Sequence, residues 1–208
     1  MYECWDIKGH CLEYFDDTHT YLYDCYITLP SVTECLKMRF GNKYGAVDRV
    51  TLQRAAERGT EVHKAIEDYC KNGTESDLQE VRNFKFLQKN FGFEVLANEI
   101  PVILFADDEP ILAGRLDMVM RLGDKMGIGD IKTTSVLDKE YLGYQLNLYR
   151  IAYQQCYGER VDFLKGVHLR AEKRKVVEIP INEPMMWEFI DEWRKRDEQG
   201  TFDGSLGA

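Results

Sequence analysis

The stretch that decides the fold is GRLDMVMRLGDKMGIGDIK, residues 114–132. Two runs that read as strands, 111–122 and 126–132, flank Gly123-Asp124, a dipeptide with glycine first, as a type II′ hairpin turn prefers. With that turn Leu122 stands opposite Lys125, and stepping back along both strands brings Asp117 opposite Asp130. A symmetric four-residue loop gives the same register, whereas an odd loop makes the pair diagonal. Side chains alternate along a strand, so Asp130 and Lys132 share a face. Two carboxylates and an ammonium group therefore converge on one patch. Opposed residues have Cβ atoms roughly 4.5–5.5 Å apart. Two ionised carboxylates that close repel, and a divalent cation removes the conflict. Oxygen ligation by carboxylates, a carbonyl and waters suits Mg²⁺ or Mn²⁺. The plainer alternative is a surface network in which Lys132 bridges both aspartates. Leu116, Met118, Met120, Ile128 and Ile131 favour a half-buried site, where charges persist only when paired or metal-bound.

Outward from this hairpin, Phe93–Phe105 reads as a strand before it. A helix over Asp138–Tyr157, strands over Phe163–Leu169 and Lys175–Pro180, and a helix over Glu183–Lys195 follow it. Towards the N-terminus, the Tyr- and Thr-rich run Thr18–Thr28 reads as a short hairpin around Asp24, stopped by Pro30. Ser31-Val32-Thr33-Glu34 is a capping box opening a short helix. Helical spacing of Leu52, Ala55, Ala56, Gly59, Val62, His63, Ile66 and Cys70 predicts a helix from about Asp48 to Lys71, ended by Asn72-Gly73. Another is predicted from about Ser76 to Asn90. Helices, three strands, a helix, two strands and a helix describe an α/β (α+β) chain with a mixed central sheet flanked by helices. We expect a single domain over 1–196 and a polar, Gly-rich, flexible tail over 197–208.

Composition sets limits. With 208 residues, 44% hydrophobic and 30% charged, the chain can bury a sizeable core, and no apolar run approaches the roughly 20 residues of a membrane helix. The opening Met1-Tyr2-Glu3-Cys4-Trp5-Asp6 has neither a basic leader nor an apolar stretch, so a cytoplasmic protein with no membrane partner is expected. Six cysteines without a C-x-x-C pair suggest reduced, mostly buried thiols. The formal net charge of −9 runs against nucleic-acid binding. Only local basic groups (Lys37/Arg39, Arg54/Arg58 and Lys173-Arg174-Lys175) soften it, each also readable as a solvated face.

Further candidates support the carboxylate pair. Gly59 lies one helical turn before His63 and permits close approach of another backbone, so His63 can reach the sheet; the alternative is a satisfied core histidine. Glu67, a turn later, orients the imidazole or faces solvent. Gln145 and Tyr149, at i,i+4, share a face of the helix after the D-x-K strand and offer hydrogen-bonding groups, unless the tyrosine simply fills the core. Glu99, on the preceding strand, is a candidate for contact with metal or water, or else solvated. Ser31, Thr33 and Arg58 are candidates for backbone phosphate, although capping explains Ser31 equally well.

Taken in order, Gly59-x-x-x-His63, Gly114-x-x-Asp117, Gly129-Asp130-Ile131-Lys132 and Gln145-x-x-x-Tyr149 resemble the RecB-like, phage-type exonuclease branch of the PD-(D/E)XK nuclease superfamily. Thr18-His19-Thr20-Tyr21 and Leu29-Pro30-Ser31-Val32-Thr33 are similar to the start of phage exonucleases of that branch and of the mitochondrial genome maintenance exonuclease. The resemblance spans roughly 18–180. It implies a restriction-endonuclease-like core and Mg²⁺- or Mn²⁺-dependent hydrolysis of DNA, single-stranded or at duplex ends, in recombination, repair or end processing by a bacterial or phage-encoded enzyme. It implies Asp117, Asp130, His63 and the Ile131 carbonyl as metal ligands, Lys132 as the group that positions water and stabilises the phosphate, and Gln145 and Tyr149 as supporting or DNA-contacting residues. Asp130 stands where many members carry Glu. The four-cysteine pattern of iron–sulfur relatives is missing, so no iron–sulfur cluster is expected. Competing readings are a non-catalytic nucleic-acid-binding or assembly module of the same fold, and a nuclease acting on RNA.

Overall fold

In the computed structural model, which describes residues 2–41 and 47–198, the chain is a mixed α+β structure with two sheets and five helices. The expected tail over 197–208 falls mostly outside the described residues.

The larger sheet has five strands in the order β5 (Glu94–Ala106), β6 (Glu109–Leu122), β7 (Lys125–Lys132), β8 (Phe163–Leu169) and β9 (Arg174–Ile179). All neighbours are antiparallel except β7 and β8, which run parallel because α4 (Lys139–Tyr157) carries the chain across between them. The β6–β7 register is the predicted one: Leu122 pairs with Lys125 and Met118 with Gly129. Gly123 has φ +59 and Asp124 is not left-handed, the pattern of a type II′ turn.

The predicted helices form with local signals that explain their ends. Ser31 caps α1 (Val32–Phe40): its Oγ accepts from the Glu34 amide, and Glu34 accepts from the Ser31 amide at 2.7 Å. Asp48 caps α2 (Arg49–Asn72) and Gly73, at φ +68, ends it. The apolar stripe of α2 is buried only in its second half, at Val62 and Ile66; Ala55 and Ala56 are exposed. Helix α3 (Gln79–Phe91) starts three residues later than predicted, because Ser76 accepts from the Leu78 amide in a local turn instead of capping a helix. Helix α5 (Glu183–Glu198) runs past the predicted stop at Lys195 and buries Met186, Phe189, Ile190 and Trp193 at helical spacing. No helix among the described residues is long and apolar enough to cross a membrane.

The second sheet is larger than predicted. The expected hairpin is present as β3 (Thr20–Tyr23) and β4 (Ile27–Leu29), but β1 (Tyr2–Ile7) and β2 (His10–Phe15) precede it in a four-stranded antiparallel meander. Lys8 and Gly9, both at positive φ, make the β1–β2 turn. Ile7, Leu12, Tyr14, Tyr21, Tyr23 and Leu29 pack into the main core with α1, α4 and the first half of β6. The thiols are also more exposed than predicted: Cys35 and Cys156 are buried, Cys11 and Cys70 half-buried, Cys4 and Cys25 exposed. Alternation on β1 and β2 turns Cys4 and Cys11 away from the core.

Candidate active site

At Asp117 the β5–β6 ladder skips a pair and the β6–β7 ladder ends. In register Glu99 lies between the pairs Asn98–Met118 and Ile100–Leu116, hence opposite Asp117, while Asp130 follows the last β6–β7 pair, Met118–Gly129. Three acids thus stand in a row across three adjacent strands, at the point where backbone pairing lapses. Side chains take its place: Asp117 Oδ2 accepts from the Ile131 amide at 2.6 Å, and Asn98 Nδ2 donates to the Asp117 carbonyl at 3.3 Å. Glu99 itself has φ +55, an unusual conformation for a residue with a side chain.

Helix α2 brings His63 to this row. Its Nδ1 lies 3.6 Å from Asp117 Oδ2 and its Nε2 3.1 Å from the Ile131 carbonyl oxygen. Gly59, a turn earlier, approaches Thr133, whose Oγ1 would be 3.4 Å from an added Cβ. Ligand atoms of His63, Glu99 and Asp117 all lie within 4.8 Å of one another.

Asp130 and Lys132 form a second, more enclosed half. Asp130 is only 2% exposed. Lys132 Nζ donates to its Oδ1 at 3.0 Å and lies 2.7 Å from Oδ2, so the one ammonium group meets both oxygens. Burial pushes the Asp130 carboxyl up to about 6, with Lys132 opposing and Asp117 adding to the rise. Burial also pushes Glu99 up to about 7, helped by Asp117 and opposed by Arg115 and His63. For Lys132, burial works against the charge, but Asp130 and Asp117 outweigh it and hold the ammonium above its ordinary pKa. It is a permanent cation here, suited to a phosphate oxygen and unsuited to taking a proton.

From α4, Gln145 and Tyr149 are both buried against this region. Tyr149 lies over Gly114: a Cβ there would come 2.7 Å from its ring. Burial, with contributions from Tyr21, Asp117 and Asp130, raises the phenol well above its usual range, so it is a neutral donor. Among the described residues the buried side-chain oxygens without a hydrogen-bond partner are Asp130 Oδ2 and Gln145 Oε1, both belonging to this constellation. Asp130 Oδ2 is nonetheless met by the Lys132 ammonium at 2.7 Å, whereas Gln145 Oε1 has no such partner, and an atom of that kind is costly in a folded interior.

The other sequence candidates separate. Ser31 is occupied as a helix cap and Thr33 is exposed on α1. Arg58 is held by Glu61 and buried Glu80, both at 2.7 Å. Glu67 pairs with Lys71 and Lys64. Sequence reasoning passed over Arg115, two residues before Asp117, whose Nε lies 2.7 Å from Glu99 while its other end reaches Glu3 of β1 at 2.8 Å. It also passed over Asn98. The i−2 spacing of Arg115 from Asp117 on one strand was the available signal.

No protein-family model and no curated protein matches the chain. Among solved structures, that of SSO0001 aligns over 79% of this chain and 74% of its own, with 16% identity and a TM-score of 0.46. A candidate exonuclease from Eubacterium rectale aligns over 67% of this chain and 65% of its own, with 10% identity and a TM-score of 0.43. Likeness at this level carries no weight for function, which rests on the residues themselves.

Proposed function

We propose that this protein is a Mg²⁺- or Mn²⁺-dependent nuclease that hydrolyses phosphodiester bonds of DNA from an end. The observation that carries the reading is the row Glu99–Asp117–Asp130 across three strands, faced by His63 and accompanied by the half-buried ammonium group of Lys132. Arg115 and Lys132 offset part of the repulsion among these acids and a divalent cation would offset more; the donors are mostly oxygen, which suits Mg²⁺ or Mn²⁺, with one imidazole beside them. Glu99, Asp117, Asp130, His63 and the Ile131 carbonyl would hold the ion. When bound, it lowers the pKa of water and offsets charge on the phosphoryl oxygens.

The protein's own groups do the rest. Lys132 presents a fixed positive charge to the phosphate and, released from Asp130, orients the attacking water. Tyr149 and Gln145 keep the sheet surface over Gly114 closed and offer neutral donors to the sugar–phosphate chain. Arg115 holds Glu99 in place through its guanidinium.

The test is digestion of 5′- and 3′-labelled single- and double-stranded DNA with Mg²⁺, Mn²⁺ or chelator, alongside circular single-stranded DNA and an RNA control. Metal-dependent loss of label from linear DNA, with the circle intact, is the expected result. Folded Asp130→Ala and Lys132→Ala variants that digest as fast as the parent would remove the site assignment, and cleavage of the circle would remove the requirement for an end.

A further inference from the structure

We propose a second metal site, on the outer face of the N-terminal sheet, in which Cys4, Cys11, Cys25 and Glu13 bind one thiolate-preferring divalent ion, Zn²⁺. The strand register builds it. Cys4 on β1 stands opposite Glu13 on β2, and Cys11 lies two residues along β2 on the same face. The Cys4 and Cys11 sulfurs are 3.0 Å apart. Ligand atoms of Cys11, Glu13 and Cys25 all lie within 4.8 Å of one another. Cys25 comes from the β3–β4 turn, where it and Asp24 have φ of +66 and +47, the two left-handed positions of a type I′ turn. Glycine or asparagine is the usual occupant of such a position, and here a thiol stands in its place. Asp24 ties that turn to the neighbouring strand: its Oδ1 accepts from the Cys11 amide at 2.9 Å and its Oδ2 pairs with His10 at 2.8 Å.

Cys11, Glu13 and Cys25 supply three donors already close together, and Cys4, whose sulfur adjoins that of Cys11, would swing in as the fourth, the number a structural zinc site takes; soft sulfur selects Zn²⁺ over Mg²⁺. Thiolates around one tetrahedral zinc, with bonds of about 2.3 Å, sit about 3.8 Å apart. The observed sulfur pair is tighter than that and far longer than the roughly 2.05 Å of a disulfide. Rotation about the Cα–Cβ bonds of Cys4 and Cys11 would have to open it. This site lies on a different sheet from the acidic row and is independent of the nuclease reading. A bound ion would pin β1 against β2 and the β3–β4 turn, and β1 carries Glu3, the partner of Arg115.

The reduced full chain, loaded with Zn²⁺ and passed through gel filtration, should retain about one ion per chain by elemental analysis. Loaded with Co²⁺ it should show sulfur-to-cobalt charge-transfer absorption in the near ultraviolet and tetrahedral d–d bands in the visible. Cys11→Ser and Cys25→Ser should abolish these bands, Glu13→Gln should weaken binding without touching a thiol, and Asp117→Asn should leave them unchanged. Circular dichroism checks the fold of each variant, and Glu13→Gln keeps the test open if a serine variant unfolds. Absence of thiolate–cobalt absorption in the reduced parent overturns the proposal, as do bands that survive in the Cys11→Ser/Cys25→Ser double variant. A Cys4–Cys11 disulfide that takes up no ion after reduction overturns it as well.

Discussion

Asp117 does two jobs with one carboxylate, since Oδ2 both accepts from the Ile131 amide and faces His63. Asp117→Asn keeps an acceptor for that amide and removes the charge, so it should fold like the parent while turnover falls about 10²–10³-fold. Asp117→Ala should in addition lower stability by about 1–3 kcal/mol, the cost of an orphaned buried donor. Denaturant melts beside rate measurements separate the two; equal stability of both variants would show that the amide is satisfied elsewhere. A pH dependence follows from Glu99 and Asp130. Their carboxyls titrate at about 7 and about 6 in the folded chain, against roughly 4 in an unfolded one. The folded state therefore binds more protons between those values. Metal-free stability from this source is greatest at the acid end of the window and falls as pH rises through the folded pKa values. Thermal melts in chelator from pH 4 to 8 should show a shallower fall for Glu99→Gln than for the parent; parallel curves would contradict the raised Glu99 pKa. None of this detail was legible beforehand. The sequence places Asp117, Asp130 and Lys132 on one patch, and the spacing of Arg115 puts it on the same face as Asp117, but its pairing with Glu99 and the left-handed backbone there arise from contacts between strands.

Elements were more readable than their partners. Gly123-Asp124 fixes the β6–β7 register, and Ser31-x-x-Glu34, Asp48 and Gly73 fix helix ends, because each signal acts within a few residues. The β1–β2 hairpin was missed although its residues alternate, since its outer face carries Cys4, Asp6, Cys11 and Glu13, and its turn is made by Lys8-Gly9. Two consequences belong to this scale. Ser31→Ala removes a cap and should cost about 1 kcal/mol, read as a lower melting temperature, with DNA affinity unchanged; a loss of affinity at equal stability would give Ser31 the phosphate role instead. Gly114→Ala forces a methyl group to within 2.7 Å of the Tyr149 ring. The overpacking should cost about 1–3 kcal/mol and move Tyr149, which near-ultraviolet circular dichroism would report.

Across the whole molecule, on the proposed nuclease reading, the charge of −9 and the acidic row would make association with DNA lean on the metal ion more than on surface lysines. DNA affinity should be markedly higher in Ca²⁺, as a non-hydrolysing stand-in, than in chelator; indifference to the cation would count against the acidic row as the contact point. The chain's two sheets meet along β6. Its second half pairs with β7 from Met118 onward, and among the described residues its first half is met on that side by Pro30 and Ser31, with the Ala113 amide donating to the Pro30 carbonyl at 3.0 Å and Ser31 bridging Ala113. The N-terminal segment therefore acts as a cover for a bare strand edge. A proteolytic fragment starting after Ser31 would uncover backbone donors and acceptors beside the acidic row, and edges of that kind template stacking between molecules. Such a fragment should be recovered as aggregate, so trimming this protein from the front would be lost to insolubility before any change in chemistry could be read.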